Sequence, residues 1–340
     1  MSGQDKPLAL TLGEPAGIGP DITIGAWLAR GTAGVPPFIF VGEGGVLLRR
    51  AAAIGLMIRV ADATPGQASA IFADAIPCMK ETPAVEGVPG RIAPDDTPKV
   101  IDSIRAAVRL VHAGEAAAVV TNPVHKKALD AVGFGFPGHT NFLGVLSVEL
   151  YGRTTTPVMM LAGPDLRVVP VTVHVPLAEV PRRLTAALIV ETGKIVARDL
   201  ERRFGVVTPR LAVAGLNPHA GEAGMLGAED ETIVRPAVEA LNAAGIAATG
   251  PLPADSMFHA EARSSYDAAL CMYHDQALIP IKTLAFDDAV NVTLGLPFVR
   301  TSPDHGTALP LAGSGKARAT SLIAALKMAD RLARAETALE

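Results

Sequence analysis

Three histidines that lie far apart in the chain each follow a run of apolar residues: His174, His219 and His274. Each run is typical of a buried strand, and ligands of open α/β sheets collect at the carboxyl ends of the strands. Three imidazoles at one such edge can hold a divalent cation and leave one coordination position open, as in catalytic metal sites. Taken singly, each histidine is more typical of a hydrogen-bonded residue at the start of a loop, so the metal prediction depends on their shared context.

A second group of polar residues follows His274 along the chain and comprises Lys282, Asn291 and Arg300. A lysine, an amide and an arginine that converge near a metal suit a phosphorylated or carboxylated ligand. The alternative is that Lys282 and Arg300 are ordinary surface cations. The spacing alone leaves both interpretations open.

A loop near the end of the chain has residues that suit contacts with an adenine: His305, Gly306, Thr307 and Ala308. Such a loop can offer backbone groups and a ring nitrogen, but its composition fits a simple turn equally well. Earlier in the chain, His139 either donates to a ligand oxygen or caps a helix that begins near Asn141. The remaining histidines, His112, His125 and His259, are interpreted as structural or surface residues.

Two nucleotide-binding patterns in the chain fail on their context. Residues 133–138 satisfy G-x-G-x-x-G, but no strand precedes them and Pro137 stands where a helix should begin. A Gly-rich connection is the better interpretation. Before Lys316 the sequence partly matches a P-loop, but Pro310 replaces the first glycine and Ala317 replaces the hydroxyl residue that binds magnesium.

The chain alternates strand-like apolar runs with amphipathic helical segments, which predicts parallel strands joined by crossover helices. It opens with a strand, a Gly-rich turn and a helix in which Pro20 suits the first position and Asp21 suits the positive end. Gly114 is placed to end another helix. Strands are predicted at 8–12, 38–41, 117–120, 158–161, 168–173, 211–214 and 268–272, and helices at about 100–113, 184–204, 230–244 and 320–338.

The 340 residues are 49% hydrophobic, which allows a substantial core, and this length favours two lobes over one. We predict that residues 1–130 and 301–340 form a first α/β lobe and that residues 131–300 form a second, which carries the three histidines. Aromatic residues make up only 4% of the chain, and the net charge is −4 without a basic block. Nucleic acid and anionic membranes are therefore poor candidates for partners.

Cys78 and Cys271 are the only cysteines, both have apolar neighbours in sequence, and no CxxC pair is present. A disulfide framework or a thiolate zinc site is therefore not expected, and a reducing compartment fits. The N-terminus lacks the pattern of a signal peptide, and no uninterrupted apolar run is long enough to span a bilayer. The expected location is the cytoplasm.

Longer sequence blocks make the chain resemble the 4-hydroxythreonine-4-phosphate dehydrogenases, a family of pyridoxal phosphate biosynthesis. The block GLNPHAGE is far more specific than any three-residue motif. The matching blocks are GEPAGIGPD (13–21), PVHK (123–126), GHT (138–140), GLNPHAGE (215–222), GPLPAD (250–255), MYHDQ (272–276) and NVTLGLPFVRTSPDHGTAL (291–309). The family has the isocitrate/isopropylmalate dehydrogenase fold, so the resemblance implies a two-lobed α/β protein with mainly parallel sheets and an active-site cleft between the lobes.

The resemblance also assigns roles to individual residues. The implied metal ligands are His174, His219 and His274, in a site that the family shares between two subunits, which implies a homodimer. The implied substrate contacts are His139, Thr140, Lys282, Asn291 and Arg300. The candidates for proton transfer are Lys282, Asp255 and Asp275. The adenine-binding loop of the larger fold looks like His-Gly-Ser/Thr-Ala, which supports cofactor contacts at His305, Gly306, Thr307 and Ala308.

The implied reaction is the oxidation of 4-phosphooxy-L-threonine at C3 by NAD or NADP, followed by loss of carbon dioxide to give 3-amino-2-oxopropyl phosphate. One divalent cation per site (zinc, magnesium, cobalt or manganese) would stabilise the developing negative charge. Neither dinucleotide is favoured, because no acidic residue or arginine pair directly follows the 305–308 loop.

One position departs from the family pattern. The family usually has Gly-His-Thr-Glu, whereas this chain has Asn141, which removes a carboxylate beside two implied substrate contacts. Two alternatives stay open. One is a dehydrogenase of a related phosphorylated four-carbon sugar acid, such as threonate or erythronate 4-phosphate. The other is a non-redox metal-dependent hydrolase or phosphate-binding protein that uses the same histidines.

Overall fold

The structure is a computed structural model that describes residues 6–79, 82–131 and 139–338. These residues divide into two compact units. The first unit comprises the described residues of Met1–Pro157 together with Leu296–Ala338, and the second comprises Val158–Gly295. The chain thus leaves the first unit once and returns to it near its end.

The first unit is built on parallel strands flanked by helices. Its strands are β1 (Leu8–Thr11), β2 (Phe38–Val41), β3 (Val60–Ala63), β4 (Ile76–Met79), β5 (Val119–Val120) and β12 (Arg300–Pro303). They run parallel in the order β3-β4-β2-β1-β5-β12. Its helices are α1 (Gly19–Leu28), α2 (Arg30–Ala33), α3 (Gly44–Ala53), α4 (Pro65–Ile71), α5 (Thr97–His112), α6 (Lys126–Ala131), α7 (His139–Tyr151) and α13 (Thr320–Thr337). Every residue of β1 and β2 is buried, as expected for a parallel sheet covered on both faces.

Local sequence explains where α1 begins and where α5 ends. Pro20 lies in the first turn of α1, where its missing N–H costs no hydrogen bond, and Asp21 lies at the positive end. Gly114 follows α5 with a φ angle of 71°, the left-handed conformation in which helices commonly end. The predicted boundaries are confirmed, except that Pro20 is the second residue of α1 and not the first.

The boundaries of these units differ from those of the lobes predicted from the sequence. The prediction assigned residues 131–157 to the second lobe, whereas the structure places the described ones in the first unit. Helix α7 belongs to the first unit because it packs on α5. Arg105 of α5 forms an ion pair with Glu149 of α7 at 2.5 Å, and its guanidinium lies near the Phe142 ring. Contacts between side chains so far apart in sequence are not visible in local patterns.

The second unit combines parallel and antiparallel pairs. Its strands are β6 (Val158–Ala162), β7 (Arg167–Pro170), β8 (Arg210–Ala214), β9 (Ala247–Leu252), β10 (Ala268–Cys271) and β11 (Val290–Leu294). Their order is β11-β6-β7-β10-β8-β9; β6 is antiparallel to both of its neighbours, and the other pairs are parallel. Its helices are α8 (Val180–Arg183), α9 (Ala186–Phe204), α10 (Arg235–Ala243), α11 (Ala260–Arg263) and α12 (His274–Ala285). The predicted α/β class with mainly parallel strands is confirmed.

The two helices predicted for the second unit, at about 184–204 and 230–244, are observed with one correction, whereas no prediction covers α8, α11 and α12. α9 begins after Thr185, whose hydroxyl accepts a hydrogen bond from the Leu188 N–H at 3.1 Å, and ends at Gly205 with a φ of 69°. The single helix predicted over 230–244 is wrong in its first turn, since Asp230–Val234 is a π-helical turn that leads into α10. The Asp230 side chain is bound by the loop after β8, and the helix widens at this point.

Both cysteines are free and buried. Burial raises the pKa of the Cys78 thiol to about 12 and raises the pKa of Cys271 as well. The two thiols are therefore unreactive at neutral pH. Within the described residues, no helix is both long enough and apolar enough to cross a bilayer.

Candidate active site

The sheet order of the second unit brings the three histidine-bearing loops to one edge. β7, β10 and β8 are adjacent and parallel, so their carboxyl ends lie side by side. His174 follows β7, His274 follows β10 and His219 follows β8. This edge is where open α/β sheets bind ligands.

His174 and His274 lie next to each other. Their ring centroids are 5.6 Å apart and their ring planes are inclined by 40°. Two imidazoles bound to one tetrahedral cation through bonds of about 2.0–2.1 Å have ring centres about 5 Å apart, so the observed pair fits a shared cation. His274 Nδ1 lies 2.7 Å from Asp275 Oδ1. A carboxylate at Nδ1 orients the ring and leaves Nε2 for a metal.

His219 lies on a left-handed turn. Five successive residues have φ angles between 45° and 77°, namely His219, Ala220, Gly221, Glu222 and Ala223. This conformation costs about 1–2 kcal/mol for each residue that carries a Cβ. A run of this length therefore persists only where the surrounding structure holds it.

The third histidine does not join the other two within one chain. Among the residues that the structure describes, no three His, Cys, Asp or Glu side chains gather closely enough to hold a metal ion. His174 and His274 thus form a close pair, while His219 is exposed on its own loop.

The left-handed turn is anchored by Asp230, whose side chain is completely buried. Its carboxylate accepts hydrogen bonds from the Leu216 N–H at 2.6 Å, the Asn217 N–H at 3.0 Å and the Asn217 side-chain amide at 3.0 Å. A Cβ at Gly215 would lie 2.7 Å from the Ala220 Cα, so glycine is required where the end of β8 meets the turn. These contacts offset the backbone strain of the turn.

We expect Asp230→Asn to lower the free energy of unfolding by about 1.5–3 kcal/mol, because hydrogen bonds to a buried charged group contribute about that much. Asparagine keeps one acceptor oxygen but turns an NH₂ group towards N–H donors. Urea unfolding followed by circular dichroism measures the change. The matched control is Asp330→Asn, which breaks a partly exposed pair with Arg334 and should cost less than about 0.5 kcal/mol. Equal losses in the two variants would contradict an anchoring role.

Lys282 and Asn291 lie on different elements of the second unit. Lys282 is half-buried on α12, about two turns after His274, with its ammonium 5.7 Å from the Phe286 ring centre. Asn291 lies on β11 opposite Leu161. Its Oδ1 is buried and accepts no hydrogen bond from the described residues. Because buried amide oxygens normally accept a hydrogen bond, Asn291 Oδ1 is a candidate for contact with a ligand.

The two aspartates predicted to serve proton transfer both face solvent. The Asp275 side chain is 71% exposed and contacts the His274 ring. Asp255 is exposed in the segment after β9. Asp275 is thus placed to orient the His274 ring, whereas no side-chain hydrogen bond or ion pair of Asp255 is seen among the described residues.

Arg300 is a buried cation of the first unit, at the start of β12. Its Nη2 donates a hydrogen bond to Thr121 Oγ1 at 2.7 Å. Desolvation lowers the pKa of Arg300 to about 10, which still leaves the guanidinium charged at neutral pH. A buried guanidinium of this kind suits a phosphate or a carboxylate.

The predicted nucleotide loop rests on the Gly-rich turn before α1. The Ile18 N–H donates to the Thr307 carbonyl at 3.0 Å, and a Cβ at Gly17 would lie 2.8 Å from the same oxygen. Thr307 is buried, whereas His305 is exposed with its Nδ1 3.0 Å from the Gly306 oxygen. The His305 imidazole is thus exposed to solvent, while Thr307 of the same loop is closely packed.

Arg50 stabilises the Gly-rich turn under this loop. The sequence analysis did not identify Arg50. Its buried guanidinium pairs with Asp21 and donates to the carbonyls of Pro15 at 2.9 Å and Gly17 at 2.8 Å. Asp21 also accepts a hydrogen bond from the Gly313 N–H at 3.0 Å. Arg50 and Asp21 are 29 residues apart in the chain, so local spacing carries no signal for the pair.

Some predicted residues lie outside the described part of the chain. They are the side chains of His139 and Thr140, at the start of α7, and the Gly-rich segment 133–138. Two other histidines have the structural roles that the sequence predicts. His125 accepts a backbone hydrogen bond in the first turn of α6, and His259 caps α11.

Comparison with known proteins identifies relatives along nearly the whole chain. The family described as "Pyridoxal phosphate biosynthetic protein PdxA" matches residues 35–329. The chain is 56% identical over 340 residues to 4-hydroxythreonine-4-phosphate dehydrogenase of Bradyrhizobium diazoefficiens, with 98% of each chain covered. It is 55% identical over 333 residues to the Xanthobacter autotrophicus protein of the same name, with 98% of this chain and 95% of that one covered.

Solved structures give the same result. The crystal structure of 4-hydroxythreonine-4-phosphate dehydrogenase from Klebsiella pneumoniae superimposes with a TM-score of 0.87 at 37% identity, with 98% of this chain and 99% of that one covered. The predicted isocitrate dehydrogenase-like α/β fold is the fold of these dehydrogenases. The chain therefore belongs to the PdxA family of pyridoxal phosphate biosynthetic proteins.

Proposed function

We propose that this chain oxidises 4-phosphooxy-L-threonine at C3 with NAD or NADP and releases carbon dioxide, which gives 3-amino-2-oxopropyl phosphate for pyridoxal phosphate biosynthesis. The observation that carries the proposal is the close pair of His174 and His274 at the carboxyl ends of β7 and β10. The family and the names of the relatives support the same reaction. These relatives give no support to the sugar-acid or hydrolase alternatives.

The proposed metal ligands are His174 and His274 of one chain and His219 of a second copy. A bound divalent cation supplies a Lewis acid that favours loss of the C3 hydroxyl proton and stabilises the negative charge that develops there. Imidazole ligands suit zinc and cobalt better than magnesium, which prefers oxygen ligands. The His174–His274 spacing supports this assignment.

The proposed substrate contacts act through charge and hydrogen bonding. Arg300, buried and charged, binds the phosphate or the carboxylate of the substrate. Asn291 Oδ1 accepts a hydrogen bond from a substrate donor, such as its amino group. Lys282 either binds an anionic group or moves the proton of the C3 hydroxyl. The other residues proposed for substrate binding or proton transfer are His139, Thr140, Asp255 and Asp275.

The proposed cofactor contacts are His305, Gly306, Thr307 and Ala308, with the adenosine part of NAD or NADP as their ligand. The close packing of Thr307 on Gly17 and Ile18 supports this proposal, because a loop that is already fixed loses less conformational entropy when it binds a nucleotide.

We also propose a homodimer with active sites shared between its two copies. Support comes from His219, which does not join His174 and His274 within the described residues of one chain. The exposed apolar side chains of Ile279 on α12 and of Phe286 directly after it offer surface that a second copy would cover. A reducing cytoplasm is the proposed location, in keeping with two free, buried cysteines.

Turnover with defined substrates tests the proposed function. The chain loaded with zinc or cobalt is expected to reduce NAD or NADP when 4-phosphooxy-L-threonine is added, with equal amounts of carbon dioxide and reduced nicotinamide formed. Threonate 4-phosphate, which lacks the amino group, is the matched control substrate. Faster turnover of threonate 4-phosphate would replace the proposed substrate. Release of phosphate without nicotinamide reduction would contradict the dehydrogenase reaction.

A further inference from the structure

A buried side-chain amide connects two of the histidine-bearing loops of the second unit. Gln276 Oε1 accepts a hydrogen bond from the Met272 N–H at 2.6 Å, and Gln276 Nε2 donates to the Gly215 carbonyl at 2.7 Å. Met272 lies just before His274, and Gly215 begins the loop that carries His219. The Gln276 side chain thus fixes the separation of these two loops through their backbone atoms.

Thr172 extends this connection to the third loop. Its Oγ1 donates to the Met272 carbonyl at 2.7 Å, and its backbone N–H donates to the same oxygen at 3.3 Å. Thr172 lies two residues before His174, and both Thr172 and Gln276 are buried, at 5% and 8% exposed. The backbone of Met272 is therefore held on its N–H side by Gln276 and on its carbonyl side by Thr172.

We propose that Gln276 is a positioning residue that holds the His274 loop and the His219 loop of its own chain in place, and hence sets the placement of one ligand in each of the two cation sites of the proposed dimer. This inference rests on the proposed function, in which both histidines are ligands. Gln276 acts through the backbone, since both polar atoms of its amide are bound to main-chain groups. A site for a cation tolerates errors of only about 0.5 Å in the placement of its ligands, so a loop tie of this kind decides affinity.

The chemistry at position 276 requires an acceptor at one end and a donor at the other. Glutamate would place a carboxylate oxygen against the Gly215 carbonyl. Methionine has a similar length and fills the same space, but it makes neither hydrogen bond. Gln276→Met therefore removes the tie between the loops with little change in packing volume.

Titration of the full chain with Co²⁺, followed by the visible absorption bands of the bound ion, tests the proposal. We expect Gln276→Met to bind Co²⁺ about 10–100-fold more weakly than the unmodified chain, the loss that is typical when groups supporting metal ligands are removed. Its bands should also change in position or intensity because the ligand geometry changes. The matched control is Gln67→Met, the same exchange at an exposed position in the first turn of α4, which should leave Co²⁺ affinity unchanged.

The outcomes separate a positioning role from a purely structural one. A lower thermal midpoint with unchanged Co²⁺ affinity and unchanged bands, both measured well below that midpoint, would overturn the proposal. If Gln276→Met does not fold, Gln276→Glu replaces it, because this variant keeps the length of the side chain and loses the amide donor to the Gly215 carbonyl. Weaker Co²⁺ binding by Gln276→Glu supports the proposal, and unchanged binding overturns it. If the unmodified chain itself gives no bands of histidine-bound cobalt, the proposed function fails first.

Discussion

Replacing His219 by alanine is expected to lower kcat by about 10³-fold or more and to remove the bound cation. A metal ion contributes several kcal/mol of charge stabilisation to a transition state, and each ~1.4 kcal/mol is a factor of ten in rate. The turn should keep its shape, because Ala220 already adopts the same φ of 53° as His219. Steady-state kinetics and elemental analysis of the purified variant measure the two effects.

The matched control for this variant is His259→Ala. His259 is exposed in the same unit and only caps a short helix, so its replacement should leave kcat and metal content unchanged. Near-normal turnover by His219→Ala would contradict the metal assignment. Activity of the unmodified chain that survives thorough chelation would contradict it as well.

The same variant also tests whether two copies share each site. A heterodimer of His219→Ala and His174→Ala chains contains one site built entirely from intact histidines. Random pairing of equal amounts of the two chains is therefore expected to restore about a quarter of the unmodified activity. If the co-expressed chains pair but stay inactive, the three histidines serve from a single chain and the shared site is wrong.

Arg50→Met is expected to lower the free energy of unfolding by about 3–5 kcal/mol, because it leaves the buried Asp21 carboxylate without its partner. The two side chains are only 1% and 3% exposed. The variant also frees the carbonyls of Pro15 and Gly17, which lie under the proposed nucleotide loop. The apparent affinity for NAD or NADP should fall together with stability. Denaturant unfolding and dinucleotide titration measure the two quantities.

Arg91→Met is the matched control for Arg50→Met, because Arg91 is 69% exposed and pairs with Glu86 at the surface. Its replacement should change stability by less than about 1 kcal/mol. If Arg50→Met costs no more than Arg91→Met, the buried pair does not hold the turn before α1.

Much of the fold could be predicted because its strands are short apolar runs bounded by turn residues. The strand predicted at 211–214 is observed at Arg210–Ala214, and the one predicted at 268–272 is observed at Ala268–Cys271. β9 escaped prediction because Gly250 and Pro251 lie within it, and such residues normally argue against the interior of a strand. The register with β8 shifts at this point, which accommodates them.

The three histidines of the candidate site could be predicted from the sequence, but the residues that hold their loops in place could not. Each histidine follows a strand, and this pattern is visible in the sequence. The left-handed turn at His219 and Ala220 is not visible, because glycine or asparagine normally marks that conformation. Asp230 and Gln276 act on backbone atoms 14 and 61 residues away, respectively, and no spacing rule joins such partners.

β7, β10 and β8 are adjacent in the sheet, so the three histidine loops come together only when the chain folds. Contacts at this edge join residues as distant as Thr172 and Met272, which are 100 positions apart. Because chain closure over such distances is slow and costly, a nascent or unfolded chain contains no preassembled ligand set. If His174, His219 and His274 hold a cation as proposed, the ion would find its three ligands together only after the chains have folded and paired. When the metal is scarce, folded protein without metal would accumulate in an inactive form, and added metal would activate it without new protein synthesis.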